Sequence, residues 1–372
     1  MLLGQTYQKK APHTHWGVFF SALELKYCFD YLTIPERLLK NYLYLVCVFT
    51  FLISAESFAK NCQEIRLGFD IGSGSTKMMV AKVDYCKKKI LEVLLSESKQ
   101  VSYNEDLEKS TDGNLSPAII EKGLTALTEL ETKAKTFKPK RSYGVATSVF
   151  RKSKNGKDVI KGFAKKLKIR LEVIDQEEEA TLGYLSVMSL MDEKTLGPKN
   201  MVVWDIGGGS MQMFSQDEGK KAQKYLGDLA SVTFKNMVIE VLEGKSLETT
   251  SSPNPIGDKR DQALALARSY ARIHVPADLK ADIHERTVVG VGGVHSHSIR
   301  GQIGTKEMKY TLEELDKASK LQAKKSDAEL TGDYRSTDVT NLILVQGFME
   351  ALGIKEVKVV NATLLQGVVL KN

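Results

Sequence analysis

Two stretches in different halves of the chain carry the same unusual strand ending. FDIGSGSTKM at 69–78 and WDIGGGSMQM at 204–213 align so that Asp70, Ile71, Gly72, Gly74, Ser75 and Met78 match Asp205, Ile206, Gly207, Gly209, Ser210 and Met213. Each follows an apolar run, IRLGF at 65–69 and MVVW at 201–204, and each continues into strand-like sequence. A chain that uses one supersecondary unit twice folds into two related halves. A turn without side chains lets backbone N–H groups approach an anion, and the carboxylate before it can hold a cation that shares the anion. Glycines after a strand also make ordinary hairpin turns, so a single copy carries little. Two such loops facing across a cleft would grip a chain of phosphates from both sides.

The 372 residues, 42% of them apolar, suffice for about two domains with substantial cores. The formal charge of +7 is modest and the basic residues are interspersed with acidic ones. Lysines cluster in KAKTFKPKR at 133–141 and RKSKNGKDVIKGFAKKLKIR at 151–170. These read first as solvated helix faces and loops, with an electrostatic funnel for a polyanion as the alternative. No aromatic residues are interleaved as a base-stacking platform would require, so nucleic acid is not expected as a partner.

Residues 1–59 stand apart as a leader. LLKNYLYLVCVFTFLISAESFAKN has a basic start (Arg37, Lys40), an apolar core from about 41 to 55, and small residues at Ser57 and Ala59. This is the layout of a secretory signal peptide cut after Ala59, and its core is too short to span a membrane comfortably. The stretch ahead of it carries no targeting logic and reads as sequence upstream of the true start. The expected location is periplasmic or secreted, with no membrane attachment after cleavage. In that oxidising setting Cys62 and Cys86 remain, without metal-ligand spacing. Both are equidistant from Gly74, the centre of the first hairpin, which predicts a Cys62–Cys86 disulfide if the hairpin extends that far.

Periodicity and turn signals predict an α/β chain. Strands near 65–71, 76–84 and 90–96 precede a helix near 116–136, a strand at 141–147, a lysine-rich helix near 157–168, a strand at 170–174 and a helix near 176–192. The cycle then restarts with strands near 201–206 and 210–215, helices near 229–243 and 259–273, a strand at 287–291, and helices near 311–325 and 337–352. Hairpins followed by crossovers make each sheet mixed. The polar stretch 244–258 reads as a loop of the second domain.

The order DIGSGST, ATSVFRKSKNG at 146–156, QEEEA at 176–180, DIGGGS and VGVGGVHSHS at 289–298 resembles the exopolyphosphatase and guanosine pentaphosphate phosphatase family. The resemblance covers residues 65–370 and implies two actin-like, ribonuclease H-like domains with mixed sheets flanked by helices, the active site lying in the cleft between them. It divides the mature chain into a first domain at 60–196, completed by a C-terminal helix at 361–372, and a second domain at 197–360. It implies that Asp70 and Asp205 serve Mg²⁺ and phosphate, that Gly72, Ser73, Gly74 and Ser75 cradle one side of the phosphates and Gly207, Gly208, Gly209 and Ser210 the other, and that Arg151 faces them. The fixed fork of a guanidinium suits two phosphate oxygens at once. Glu179 aligns with the family's general base, although glutamates in a first helical turn also serve simply to offset the helix dipole. The implied substrate is inorganic polyphosphate or a guanosine polyphosphate; a homodimer is left open.

Three departures from the family pattern bear on this. Gln212 stands where the family carries a glutamate after the second loop, and Leu365 and Gln366 replace an arginine-glutamate pair near the C-terminus. His295 and His297 form an H-x-H pair that reads as hydrogen bonding to its loop or substrate before it reads as a metal site. The sequence thus supports an exported phosphohydrolase, with a phosphate-binding protein that has lost turnover, or an ATP-using kinase-like member, as the alternatives.

Overall fold

The computed structural model describes residues 62–191, 200–216, 221–332 and 334–371. The leader expected over residues 1–59, with its cut after Ala59, lies outside the described residues.

β1 (Gln63–Ile71), β2 (Ser75–Asp84) and β3 (Lys89–Gln100) form an antiparallel meander. Helices α1 (Tyr103–Glu108) and α2 (Pro117–Lys135) lead to β4 (Arg141–Ala146), which runs parallel to β1. The short α3 (Ser148–Lys152) and α4 (Gly156–Leu167) cross to β5 (Arg170–Val173), parallel to β4, and α5 (Gln176–Leu190) follows. The first sheet therefore has the order β3-β2-β1-β4-β5.

The second half starts the same way, with β6 (Met201–Ile206), β7 (Met211–Ser215) and β8 (Gln223–Gly227). α6 (Ser231–Met237), prolonged by a π turn at Val238–Leu242, then α7 (Arg260–His274) and α8 (Ala277–Glu285), lead to β9 (Thr287–Val291), parallel to β6. A π turn at Val294–Ile299 runs into α9 (Arg300–Ile303). β10 (Lys309–Thr311), α10 (Leu312–Gln322), α11 (Arg335–Leu352) and β11 (Glu356–Val359) complete a sheet of order β10-β11-β9-β6-β7-β8, and α12 (Leu364–Leu370) ends the described chain. The arrangements β3-β2-β1-β4 and β8-β7-β6-β9 are one motif used twice, as the duplicated strand ending implies.

Local sequence explains the elements nearest the site. α2 starts where Ser116 accepts a hydrogen bond from Ile119 N and Pro117 occupies the first turn, and α5 starts where Asp175 accepts from Glu178 N. On α4, Val159, Ile160, Phe163 and Leu167 recur at helical spacing and are buried, while the lysines between them face solvent. One face of the first sheet packs Phe69, Ile71, Met78 and Val80 against Leu127, Leu130 and Phe163. Its other face packs Met79, Ala81 and Val83 against Leu365, Val369 and Leu370 of α12.

Helix α5 is shared between the sheets. Its Leu182 joins Val145 and Val368, while Ala180, Tyr184 and Val187 pack on Val203, Phe214 and Val291 of the second sheet. α12 crosses α5 at Gly367, where a Cβ would stand 2.2 Å from Leu182 O, and Gly367 N donates to Ser186 Oγ at 2.8 Å. Only glycine permits that approach. The second sheet's remaining face buries Trp204, Ile206 and Met213 against Phe234, Leu342 and Phe348.

Several elements carry too little sequence signal to be expected. β8, β10 and β11 are 5, 3 and 4 residues long, too short for a period to register, and depend on neighbouring strands for their hydrogen bonds. The first hairpin also differs from expectation in register. Gln63 pairs with Asp84 and Ile71 with Thr76, so the turn is centred between Ser73 and Gly74, and Tyr85 N, not Cys86, bonds to Cys62 O at 2.9 Å. Cys86 lies one residue further on, and the Cys62–Cys86 disulfide closes there with a Cα–Cα distance of 5.6 Å.

Candidate active site

The two glycine loops close by the same hydrogen bond. Gly72 N donates to Ser75 O at 2.9 Å, and Gly207 N donates to Ser210 O at 2.9 Å. Those two N–H groups are thereby consumed inside the turns. The N–H groups of Ser73, Gly74, Gly208 and Gly209 have no acceptor among the described residues. The loops face one another closely, since a Cβ on Gly208 would meet Ser73 Cβ at 3.5 Å. The second loop is braced from below by Ser231 N and Val232 N at the start of α6, which donate to Gly207 O and Gly208 O at 3.1 and 2.8 Å.

Arg151, on α3, reaches across to the same place. Its Nη1 donates to Glu179 Oε2 at 2.7 Å and to Ile174 O at 3.0 Å, and Nη2 donates to Ser210 Oγ at 3.4 Å. Lys152 Nζ and Ser148 Oγ donate to Gly209 O at 2.9 and 3.1 Å. The ATS-x-x-R segment thus ties the first sheet's β4–α3 turn to the second loop.

The three glutamates at the start of α5 have different fates. Glu177 pairs with Lys224 and Glu178 with Lys371, both outward. Glu179 turns inward and is 8% exposed. Burial pushes its carboxyl up to about 7 against the pull of Arg151, and the charges of Asp205 and Asp70 push the same way. A glutamate that merely offset the helix dipole would face solvent, as its two neighbours do.

Asp70 and Asp205 occupy equivalent strand ends. Lys77, the cross-strand partner of Asp70, places Nζ 3.6 Å from Asp70 Oδ2. Asp205 keeps some surface exposed while protein surrounds its carboxyl; burial raises it to about 6, Lys77 opposes this and Asp70 adds to it. A third glycine turn closes over Asp205. Gly292 has φ +81°, and a Cβ there would lie 2.5 Å from Asp205 Oδ1.

Gln212 is the cross-strand partner of Asp205 as Lys77 is of Asp70, is buried, and has no hydrogen-bond partner for Nε2 among the described residues. Asp205 and Glu179, both raised by burial, fit a divalent cation that would compensate their charge, whereas the unengaged Nε2 of Gln212 is a donor and suits a water or phosphate oxygen. Asp70, Asp205 and Glu179 do not bring ligand atoms within 4.8 Å of one another as a trio, so they form no closed cage. That suits Mg²⁺, which usually takes one or two carboxylates, keeps waters and shares substrate phosphates.

The sequence reading missed Lys77, Lys152, Ser148 and Gly292. Lys77 was legible in principle, because a hairpin turning between Ser73 and Gly74 sets position 77 opposite position 70. Lys77 also lines a cavity of about 300 Å³ with Ser98, Asn361, Leu365 and Gln366, so the two replaced C-terminal positions share a cavity with Lys77. His295 is not in it. Its Nδ1 lies 2.6 Å from Tyr310 Oη, its ring packs edge-on to Trp204, and burial lowers it to about 3, leaving it neutral in the core. His297 is exposed, and no His-containing metal cluster forms among the described residues.

Comparison with known proteins agrees with the fold. The chain is similar in structure to the Aquifex aeolicus member of the Ppx/GppA protein family, at 18% identity and TM-score 0.64, covering 83% of this chain and 97% of that one. It is similar to an exopolyphosphatase from Cytophaga hutchinsonii, at 16% identity and TM-score 0.62 over 82% of this chain and 96% of that one. An exopolyphosphatase-like protein gives 20% identity and TM-score 0.66, with 83% and 98% covered. At such identities these likenesses establish the fold, two actin-like α/β domains. Residues 79–241, which include Arg151, Glu179 and the second glycine loop, match the model of the Ppx/GppA phosphatase family.

Proposed function

We propose that the protein is an exported phosphohydrolase that releases terminal phosphate from inorganic polyphosphate or a related guanosine polyphosphate. The observation that carries this reading is Glu179: inward, buried, paired with Arg151, and raised to about 7, near the working pH of a general base. Glu179 takes a proton from a water whose oxygen attacks the terminal phosphorus. The bond from that phosphorus to the bridging oxygen breaks, and the shortened chain leaves on that oxygen. Ser73, Gly74, Gly208 and Gly209 offer unengaged N–H groups to the phosphoryl oxygens, and Arg151 balances charge developing on them. Asp70 and Asp205 would hold Mg²⁺, which when bound neutralises phosphate charge. The leader over residues 1–59 and the Cys62–Cys86 disulfide support export, since disulfides persist in oxidising compartments.

The test is phosphate release by the mature chain offered polyphosphate, guanosine pentaphosphate and ATP, each with and without Mg²⁺. Release from one of the first two that depends on Mg²⁺ supports the reading. Binding of polyphosphate with no release at any Mg²⁺ concentration overturns it in favour of a binding protein, the reading that Gln212 favours because it removes a carboxylate beside Asp205. For export, mass spectrometry of the product from a secreting host should find Lys60 first.

A further inference from the structure

On the α4 side of the site, lysines form a single stripe. Lys154, Lys157, Lys161, Lys165 and Lys168 are all exposed and follow one another at intervals of three or four residues, the spacing of one helical face. From Lys157 to Lys168 the stripe runs about 16 Å at 1.5 Å per residue. It begins three residues beyond Arg151 and next to Lys152, which is bonded to the second phosphate loop at Gly209 O. The only acid on α4 is Asp158, 3.5 Å from Lys161, and Lys157, Lys165 and Lys168 form no ion pair among the described residues.

Helix electrostatics do not account for this distribution. Cations near a helix C-terminus are favoured by the dipole, which covers Lys165 and Lys168. Lys157 sits in the first turn and Lys154 just before it, where a positive charge is disfavoured. A row of ammonium groups in which Lys161 alone has an acidic partner among the described residues, with one end close in sequence to Lys152 at the second glycine loop, matches a linear polyanion whose own end lies in the cleft. The stripe carries no exposed aromatic side chain, since Phe163 is buried, so it lacks the stacking surface that single-stranded nucleic acid would use.

We propose that Lys154, Lys157, Lys161, Lys165 and Lys168 form a track that holds the trailing part of a long inorganic polyphosphate while its terminus occupies the cleft. This inference rests on the hydrolase reading for the identity of the polyanion, and its test is arranged to separate the two. The variant K157Q/K161Q/K165Q/K168Q removes four charges without touching Arg151, Lys152 or Glu179. As a control for net charge, K317Q/K324Q/K355Q/K358Q removes four exposed lysines near the other sheet.

Binding of end-labelled long-chain polyphosphate is measured by fluorescence anisotropy across a salt series, separately from turnover. The stripe variant should bind about tenfold or more weakly, with the slope of log K against log salt reduced by about 3, while the control binds like wild type. Its KM for long chains should rise with kcat unchanged, and tripolyphosphate, too short to reach the stripe, should be hydrolysed as by wild type. Equal binding by stripe variant and wild type overturns the track even if tripolyphosphate is hydrolysed, which leaves the hydrolase reading intact. Selective loss of long-chain binding with no hydrolysis of any substrate supports the track and sinks the hydrolase reading. Single-stranded RNA of equal charge competing as well as polyphosphate would overturn the choice of occupant.

Discussion

Arg151 Nη1 lies 2.7 Å from Glu179 Oε2, so the cation that reaches the second glycine loop also opposes the rise in proton affinity that burial gives this carboxylate. Under the proposed function the pair would couple binding to chemistry. Phosphate oxygens drawing on Arg151 would weaken its hold on Glu179, whose proton affinity then rises as the water is positioned.

Glu179→Gln keeps the shape and removes the proton acceptor. Turnover is expected to fall roughly 10²–10⁴-fold, with polyphosphate binding retained, when initial rates and affinity are measured side by side. If the glutamate served only the helix dipole, the change would cost about 0.3–1 kcal/mol of stability and leave the rate intact.

The pH profile follows from the same group. The base must be deprotonated, so kcat/KM should decline below about pH 7, the position to which burial raises Glu179. Arg151→Met removes the opposing charge, so the acid limb should move to higher pH as well as the rate falling. Stability has the opposite sense. Glu179 and Asp205 bind protons more tightly folded than unfolded, so their contribution is full below about pH 4 and is lost as pH rises through about 6 and 7. Thermal denaturation of the unliganded protein should show this decline, and Glu179→Gln should flatten its upper part.

Gln212→Glu places another carboxylate opposite Asp205 in a buried position. Without a divalent cation the variant should lose about 1–3 kcal/mol of stability. Mg²⁺ should restore it by differential scanning fluorimetry, with a larger Mg²⁺ response than wild type. An Mg²⁺ response equal to that of wild type would remove Asp205 and its neighbour from the proposed cation site.

Gly367→Ala tests the crossing of α12 over α5. Alanine is favoured over glycine in an open helix by about 1 kcal/mol, but here the added Cβ would stand 2.2 Å from Leu182 O. Overpacking wins, and a net loss of about 1–3 kcal/mol is expected in urea denaturation. Because Leu182 follows Glu179 by one turn, activity should suffer beyond the loss of folded protein.

Removing the disulfide by Cys62→Ser and Cys86→Ser should cost about 3 kcal/mol on the loop-entropy model, read as a lower denaturation midpoint. A free-thiol count of two in the unfolded, unreduced described domain would contradict the bridge.

The sequence alone determined the repeated unit, because its signal is local: an apolar run, an aspartate and a glycine turn, each legible within ten residues. Hence the two mixed sheets, the hairpin-then-crossover order and the positions of Asp70 and Asp205 followed from pattern. The order of five motifs nominated Arg151 and Glu179. Tertiary structure decided what those residues do. Nothing in QEEEA distinguishes Glu179 from Glu177 and Glu178; packing of α5 on both sheets turns one inward and leaves two on lysines, and desolvation then raises Glu179. Likewise only the fold showed that Gly72 and Gly207 bond within their turns, that Lys77 faces Asp70, and that His295 belongs to the core. Burial and charge proximity are properties of residues distant in sequence brought together, so no window on the chain contains them.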